Sequence, residues 1–313
     1  MKNFAKLIKL TLLVATSTVM FSCSDDDNAA PESNTIAAIA SRNPNFTTLV
    51  AALDRAGLVQ TLDQNGPFTV FAPTNAAFND FLADNGFTSL NDIPVDVLRE
   101  VLLNHVVNGT NLSTSLTTGY VKTLGKGSAS DSNTLSMFIN TASGVRLNGV
   151  ASVTTPDIVA SNGVIHVVDA VIGLPTVVTH AAANPGFSTL VSLLTQQNLV
   201  STLDGTASSP FTVFAPNNDA FTTFETQNPG VLASLTSAQV TAVLTYHVVA
   251  GANVLSTGIP ATPITTFETG TFTIAGTTIT DESDRQTGII ATDVQASNGV
   301  IHVVNNVLLP TFD

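Results

Sequence analysis

Between 47 and 62 the apolar residues fall at Leu49, Val50, Leu53 and Leu58, the spacing of a helix that buries one face. The next apolar run, FTVF at 68–71, is short, aromatic and β-branched. It is closed by Pro73, which has no N–H to give a ladder, so it reads as a strand. Thr74 is a good N-cap, and after it Phe78, Phe81 and Leu82 recur at i, i+3 and i+4, as a one-faced helix demands. Asp92-Ile93-Pro94 opens a further helix with Leu98, Val101 and Leu102 along one side. Beyond it the chain alternates Thr, Val and Ile between Gly, Asn and Asp, and reads as strands. Asn162-Gly163 supplies the residues of a two-residue hairpin turn, with positive φ expected at both, pairing 156–160 antiparallel with 164–168.

The whole pattern occurs twice. FTVFAPTNAAF at 68–78 returns as FTVFAPNNDAF at 211–221, and NFTTLVAAL at 45–53 as GFSTLVSLL at 186–194. NHVVNG from Asn104 returns as YHVVAG from Tyr246, and SNGVIHVV from Ser161 as SNGVIHVV from Ser297. Four landmarks in one order at a nearly constant spacing mean a duplicated domain, with a small net deletion in the middle of the second copy. The period is far longer than that of a solenoid repeat, so each copy should hold its own core. The boundary falls at 174–177, giving domains 34–174 and 175–313. Helices precede strands within each, which makes the class α+β.

Composition narrows what such a chain can do. Of 313 residues 44% are hydrophobic and 11% charged, with a net charge of -13. Three of the ten bases sit at Lys2, Lys6 and Lys9, and Arg285 is the only base after Arg146. No basic stripe is left for phosphate contacts, which argues against nucleic acid as a partner. The leading lysines and the apolar run at 10–21 have the form of a signal peptide over 1–22, too short to span a bilayer comfortably. Ser22-Cys23 comes next, with the chain's one cysteine, so no intrachain disulfide is possible. A lone cysteine in this place resembles the lipobox of bacterial lipoproteins, although Met20 and Phe21 depart from its usual Leu-small pattern. Cys23 would then be acylated and become the new N-terminus. Ser24-Asp25-Asp26-Asp27 resembles the export signal of outer-surface lipoproteins, and 23–33 is polar enough for a disordered tether.

The five histidines are the candidates for chemistry. On a strand, His166 points the same way as Val164 and Val168, with no carboxylate in local reach, and His302 is its equivalent. A buried imidazole bonded to backbone is the expected role of both. His105 follows Val101 by four and Leu102 by three, and His247 relates identically to Val243 and Leu244. Both belong on an apolar helix face near its C-terminus. His180 has no counterpart and is expected at the surface. No pair of histidines shows ligand spacing, and Asp281-Glu282-Ser283-Asp284 lacks the glycine and spacing of a calcium loop, so a solvated turn is expected there. No metal, cofactor, nucleophile motif or phosphate loop is read from the chain.

These landmarks together resemble the fasciclin (FAS1) domain family. FTVFAPTNAAF resembles its first signature block, NHVV and YHVV its central Tyr-His block, and ASNGVIHVVDAVIGLP its closing block. The resemblance covers nearly everything from Asn34 onward. It implies two tandem domains, each a wedge or sandwich of antiparallel strands with a helical layer, outside the cell and non-catalytic. The adhesive Tyr-His motif of animal relatives maps to Tyr246 and His247, while in the first copy Asn104 replaces the tyrosine and only His105 is kept. An adhesive Asp-Ile pair maps to Asp157 and Ile158, with Asp293-Val294 a weaker version, and Thr155 stands where the animal motif often has Glu. Asp157 has an alternative role as a local cap or brace of the hairpin.

The reading that results is a lipid-anchored protein of the outer membrane, displayed on the cell surface. It would bind a protein or glycan of matrix, host or neighbouring cells. Its alternative is a polysaccharide-binding accessory lipoprotein. The absence of Trp and the presence of only Tyr120 and Tyr246 weigh against a sugar-stacking platform. An enzyme or metal carrier would require two histidines to converge on one cleft. Tyr246 lies one step round the helix from His247, off the main apolar face, and partial exposure is expected.

Overall fold

The computed structural model describes residues 33–205 and 207–312. The signal-peptide, Cys23 and tether readings lie outside the described residues, apart from Ser33. Residues Asn34–Asp313 form one compact unit that contains both repeats.

The first repeat opens with helices α1 (Ile36–Arg42), α2 (Thr47–Arg55) and α3 (Val59–Asp63), then strand β1 (Phe68–Pro73). Helices α4 (Asn75–Asp84) and α5 (Val95–Leu103) complete its helical layer. Thr74 caps α4, its side chain accepting from the amide of Ala77. Strands β2 (Val106–Asn108), β3 (Gly119–Gly127), β4 (Ser130–Asn140), β5 (Arg146–Leu147), β6 (Ala151–Ala160) and β7 (Gly163–Val168) come after them. The second repeat runs α6 (Val177–Ala183), α7 (Ser188–Gln196), α8 (Val200–Asp204), β8 (Phe211–Pro216), α9 (Asn218–Gln227), α10 (Val231–Ser234) and α11 (Ser237–Tyr246). Its strands are β9 (Val248–Ala250), β10 (Ile264–Thr265), β11 (Thr271–Ala275), β12 (Thr278–Thr280), β13 (Gln286–Ala296) and β14 (Gly299–Val304).

The first seven strands close into a barrel in sequence order. Every pair is antiparallel except β1 with β7, which run parallel in register from Phe68 beside Gly163 to Pro73 beside Val168. The second sheet keeps the parallel pair, β8 with β14, but stays open between β9 and β10. Because side chains alternate along β1, Val70 and Ala72 pack on the helical layer while Phe71 points into the barrel. Each repeat therefore has two cores. Phe46, Phe78, Leu98 and Leu102 are among those between helices and sheet, and Phe71, Met137, Leu147 and Ile172 are among those inside the barrel.

The hairpin differs from its expected turn. Ala160 pairs with Gly163, so the two loop residues are Ser161 and Asn162 rather than Asn162 and Gly163. Only Gly163 of these has positive φ, at 151°. The reason is tertiary. Asn162 accepts from the amide of Ile36 at the start of α1 (2.9 Å) and donates to the carbonyls of Leu62 and Gln64 (2.8 Å each). Asn298 does the same for Val177 and Leu203. Gly163 is required by crowding, since a Cβ there would sit 1.9 Å from the Phe68 carbonyl oxygen.

Candidate functional site

The Asp-Ile position lies in a β-bulge. Between Thr155 and Ile158 the pairing of β6 with β7 slips, and Asp157 takes up the slack with φ of 62°. Its amide donates to Nδ1 of His166 (3.2 Å). Its carboxylate accepts from the Ser113 amide (2.8 Å) and the Ser113 hydroxyl (2.5 Å). These bonds, the hydroxyl first, hold the Asp157 carboxyl below the ordinary aspartate value. Because Nδ1 of His166 accepts, its proton is on Nε2, which donates to the Asn111 carbonyl (2.8 Å). The ring is wholly buried and stacked on Phe71 at 5.4 Å. One expectation is corrected here. A carboxylate is within reach of His166, because the bulge brings Asp157 Oδ1 to 3.8 Å from Nδ1.

The second repeat rebuilds the unit. The Asp293 carboxylate accepts from the Ser256 amide (2.8 Å) and hydroxyl (2.6 Å), and Nε2 of His302 donates to the Val254 carbonyl (2.9 Å). Burial would raise the Asp293 carboxyl, but the Ser256 bonds outweigh it and the net direction is down. Asn111, Ser113 and Ser256 were not singled out from the sequence. Their signal was available, since Leu-Ser-Thr recurs at 112–114 and 255–257 at matching places in the two repeats.

His105 and His247 tie each helical layer to the segment that follows the last strand of its sheet. Nδ1 of His105 donates to the Val101 carbonyl one turn back (2.7 Å), and Nε2 accepts from the Ile172 amide (2.9 Å). His247 repeats this with Val243 (2.7 Å) and Leu308 (3.0 Å). Burial pushes both imidazoles down to about 4, so each is neutral at physiological pH. Tyr246 is fully buried, contrary to its expected partial exposure. The face of α11 opposite the helical core meets the second sheet, where the Tyr246 hydroxyl donates to the Thr271 carbonyl (2.6 Å) and the ring packs on Phe272. Asn104, in the same place of the first repeat, is equally buried and spans Gly173 and Thr123. The Tyr-His pair thus offers no outward group.

Two further expectations are corrected. His180 is buried, because α6 packs between its own sheet and the other repeat: Nε2 lies 3.3 Å from the Gln295 carbonyl on β13, and the ring meets Tyr120 of the first repeat edge-on at 5.5 Å. Asp281 is a clasp rather than a solvated turn residue, paired with Arg285 at 2.7 Å and accepting from the Leu309 amide. Among the described residues no three His, Cys, Asp or Glu converge as a metal cage.

The two bulges present different surfaces. On β6, Thr154, Thr155, Pro156 and Val159 are exposed, Val159 by 64%, and Ile158 is half-buried on the helical core. On β13, Val294 is buried, Lys122 of the first repeat donates to the Asp293 carbonyl (2.8 Å), and the Gln295 amide donates to Ser136 (3.0 Å). The second bulge is thus partly spent on the contact between repeats, and the first keeps an open apolar and hydroxyl-bearing strip.

Comparison with known proteins agrees with the duplication. The Fasciclin domain profile matches residues 44–175 and again 185–310. Protein sll1483 of Synechocystis sp. is 40% identical over 144 residues, 46% of this chain and 76% of that one. Protein sll1735 of the same organism is 36% identical over 146 residues, 44% of this chain and 98% of that one. Human periostin is 28% identical over 273 residues, covering 84% of this chain but 31% of periostin.

Proposed function

Because the chain belongs to the fasciclin family, whose domains are typical of adhesion and extracellular interaction and generally non-catalytic, we propose that it is a surface-displayed adhesion protein. Its two domains, 34–174 and 175–313, are held at the outer membrane through a lipid on Cys23. The partner is a protein or glycan of the matrix, host or neighbouring cells. Recognition runs through the outer face of β6 around Asp157, Ile158 and Val159. The observation that carries this reading is the inequality of the two bulges: the same Asp-Ser-His unit is built twice, yet Lys122 and Ser136 occupy the second while the first stays open. Asp157 itself acts as a brace that sets the shape of the strip. Its side chain is one-third exposed, which leaves room for a partner's donor.

The test is adhesion of producing cells to surfaces coated with matrix proteins or glycans. Val159→Arg is expected to lower adhesion with an unchanged melting temperature, and Ile290→Arg on β13 to have the smaller effect. Undiminished adhesion by cells carrying Val159→Arg, against loss in cells lacking the protein, removes β6 as the recognition face. Protease shaving of intact cells tests the display. Release from wild-type cells and loss of surface retention with Cys23→Ala are expected. Protection until the outer membrane is permeabilised assigns the protein to the envelope interior instead.

A further inference from the structure

The second helical layer is incomplete where the first is closed. In the first repeat Leu82 and Phe87 pack on the core. Arg55 donates to the carbonyls of Ile93 (2.8 Å) and Asn91 (3.0 Å), and Arg99 to that of Ala56 (3.0 Å), tying the end of α2 to α5 and to the segment before it. Aligned on the shared blocks, Leu82 corresponds to Glu225, and Arg55 and Arg99 to Gln196 and Thr241. Phe87 comes directly after the left-handed Gly86, and Val231 after the left-handed Gly230 in the same way. Bulky and bridging side chains are thus replaced by smaller or polar ones.

The result is a cleft of about 770 Å³ between α7, α9, α10 and α11, within the roughly 300–1,000 Å³ of small-molecule sites. Its apolar lining includes Leu193, Phe221, Leu232, Leu235 and Val240. His247 also lines it, with both ring nitrogens already bonded to backbone, so it adds no free donor or acceptor. Exposed polar side chains stand at the rim, on α9: Thr222, Glu225 and Thr226. Among the described residues Glu225 is the only charged one lining the cleft, and its Oε1 accepts from the Gly230 amide (2.6 Å), which fixes the carboxylate in place.

We infer that this cleft binds a small amphipathic molecule with an aliphatic body and a cationic amine head. The body fills the space that Leu82 and Phe87 occupy in the first repeat, and the ammonium meets Glu225. Charge complementarity selects the head: the cleft has one carboxylate, no Lys or Arg, and a chain of net charge -13 around it. A fatty carboxylate of the same length meets like charge. The inference is independent of the adhesive reading, since β6 belongs to the other repeat.

Hydrogen–deuterium exchange of the full chain, with decylamine and decanoate as probes at neutral pH, tests it by location as well as affinity. Decylamine is expected to slow exchange in peptides covering 218–246, at concentrations about threefold to tenfold below those needed for decanoate. Glu225→Gln keeps the shape and is expected to abolish that preference. Leu235→Trp, which adds bulk at a residue that lines the cleft, is expected to weaken protection by both. Equal protection by the two probes, a preference that survives Glu225→Gln, or protection absent from 218–246 or uniform along the chain each overturn the assignment.

Discussion

At the scale of single residues, the histidines act through both ring nitrogens at once. Replacing His105 by alanine strands the Val101 carbonyl and the Ile172 amide in the core. Two buried unpaired groups cost about 2–6 kcal/mol together, and urea unfolding of His105→Ala should show a loss in that range. The same burial makes stability depend on pH. His105, His180 and His247 titrate at about 4 when folded, against 6.5 for an unperturbed histidine. Between these values the unfolded chain binds more protons than the folded one, so stability is full above about pH 6.5 and falls as pH drops toward 4. The slope is up to about 1.4 kcal/mol per pH unit for each histidine. A urea midpoint clearly lower at pH 4.5 than at pH 7 is expected. Asp157 and Asp293, whose carboxyls are lowered from 3.8, lose their contribution only at more acid pH, which keeps the two effects separable.

At the scale of elements, the hairpin is held by what it touches rather than by its turn alone. Gly163 lies against Phe68 on the parallel neighbour β1, so Gly163→Ala drives a methyl into the Phe68 carbonyl. A loss of about 4 kcal/mol or more is expected, read as a lowered denaturation midpoint or failure to accumulate folded protein. Gly299 repeats the crowding against Phe211. The bulge allows a finer test. Asp157→Asn keeps a side chain that tolerates positive φ and can still accept from Ser113, whereas Asp157→Ala keeps neither property. Asp157→Ala should therefore destabilise more than Asp157→Asn in thermal unfolding.

At the scale of the whole molecule, the repeats are joined by backbone. The Ala129 amide donates to the Ser297 carbonyl (2.9 Å), and β4 packs along β13. Gly127 permits this approach, because a Cβ there would lie 2.3 Å from the Ser297 Cα. The described domains should unfold together in a single calorimetric transition. Gly127→Val is expected to split that transition in two by forcing β3 away from the second repeat. A single unchanged transition in the variant would show that this contact does not couple them.

Much of this was legible in the chain, for physical reasons. Residues 47–55, 68–73 and 75–84 announce their elements because local periodicity, Pro73 and the Thr74 cap act within a few residues of one another. Duplication gave the two-domain architecture, and the backbone-bonded roles of His105 and His166 stem from their apolar flanks. Other features depend on partners distant in sequence. Asn162 leaves its expected turn geometry to bind α1, Tyr246 is covered by a strand 25 residues further on, and His180 is buried between β13 and Tyr120 of the other repeat. The bulge that moves Asp157 toward His166 and Ser113, and the cleft lined by Glu225 and Leu232, exist only once helices and strands have packed. Sequence by itself thus determined which segments bury a face and how often the domain recurs, since those depend on neighbours along the chain. Tertiary structure alone decided which surfaces stay open, because exposure is set by what the rest of the molecule covers.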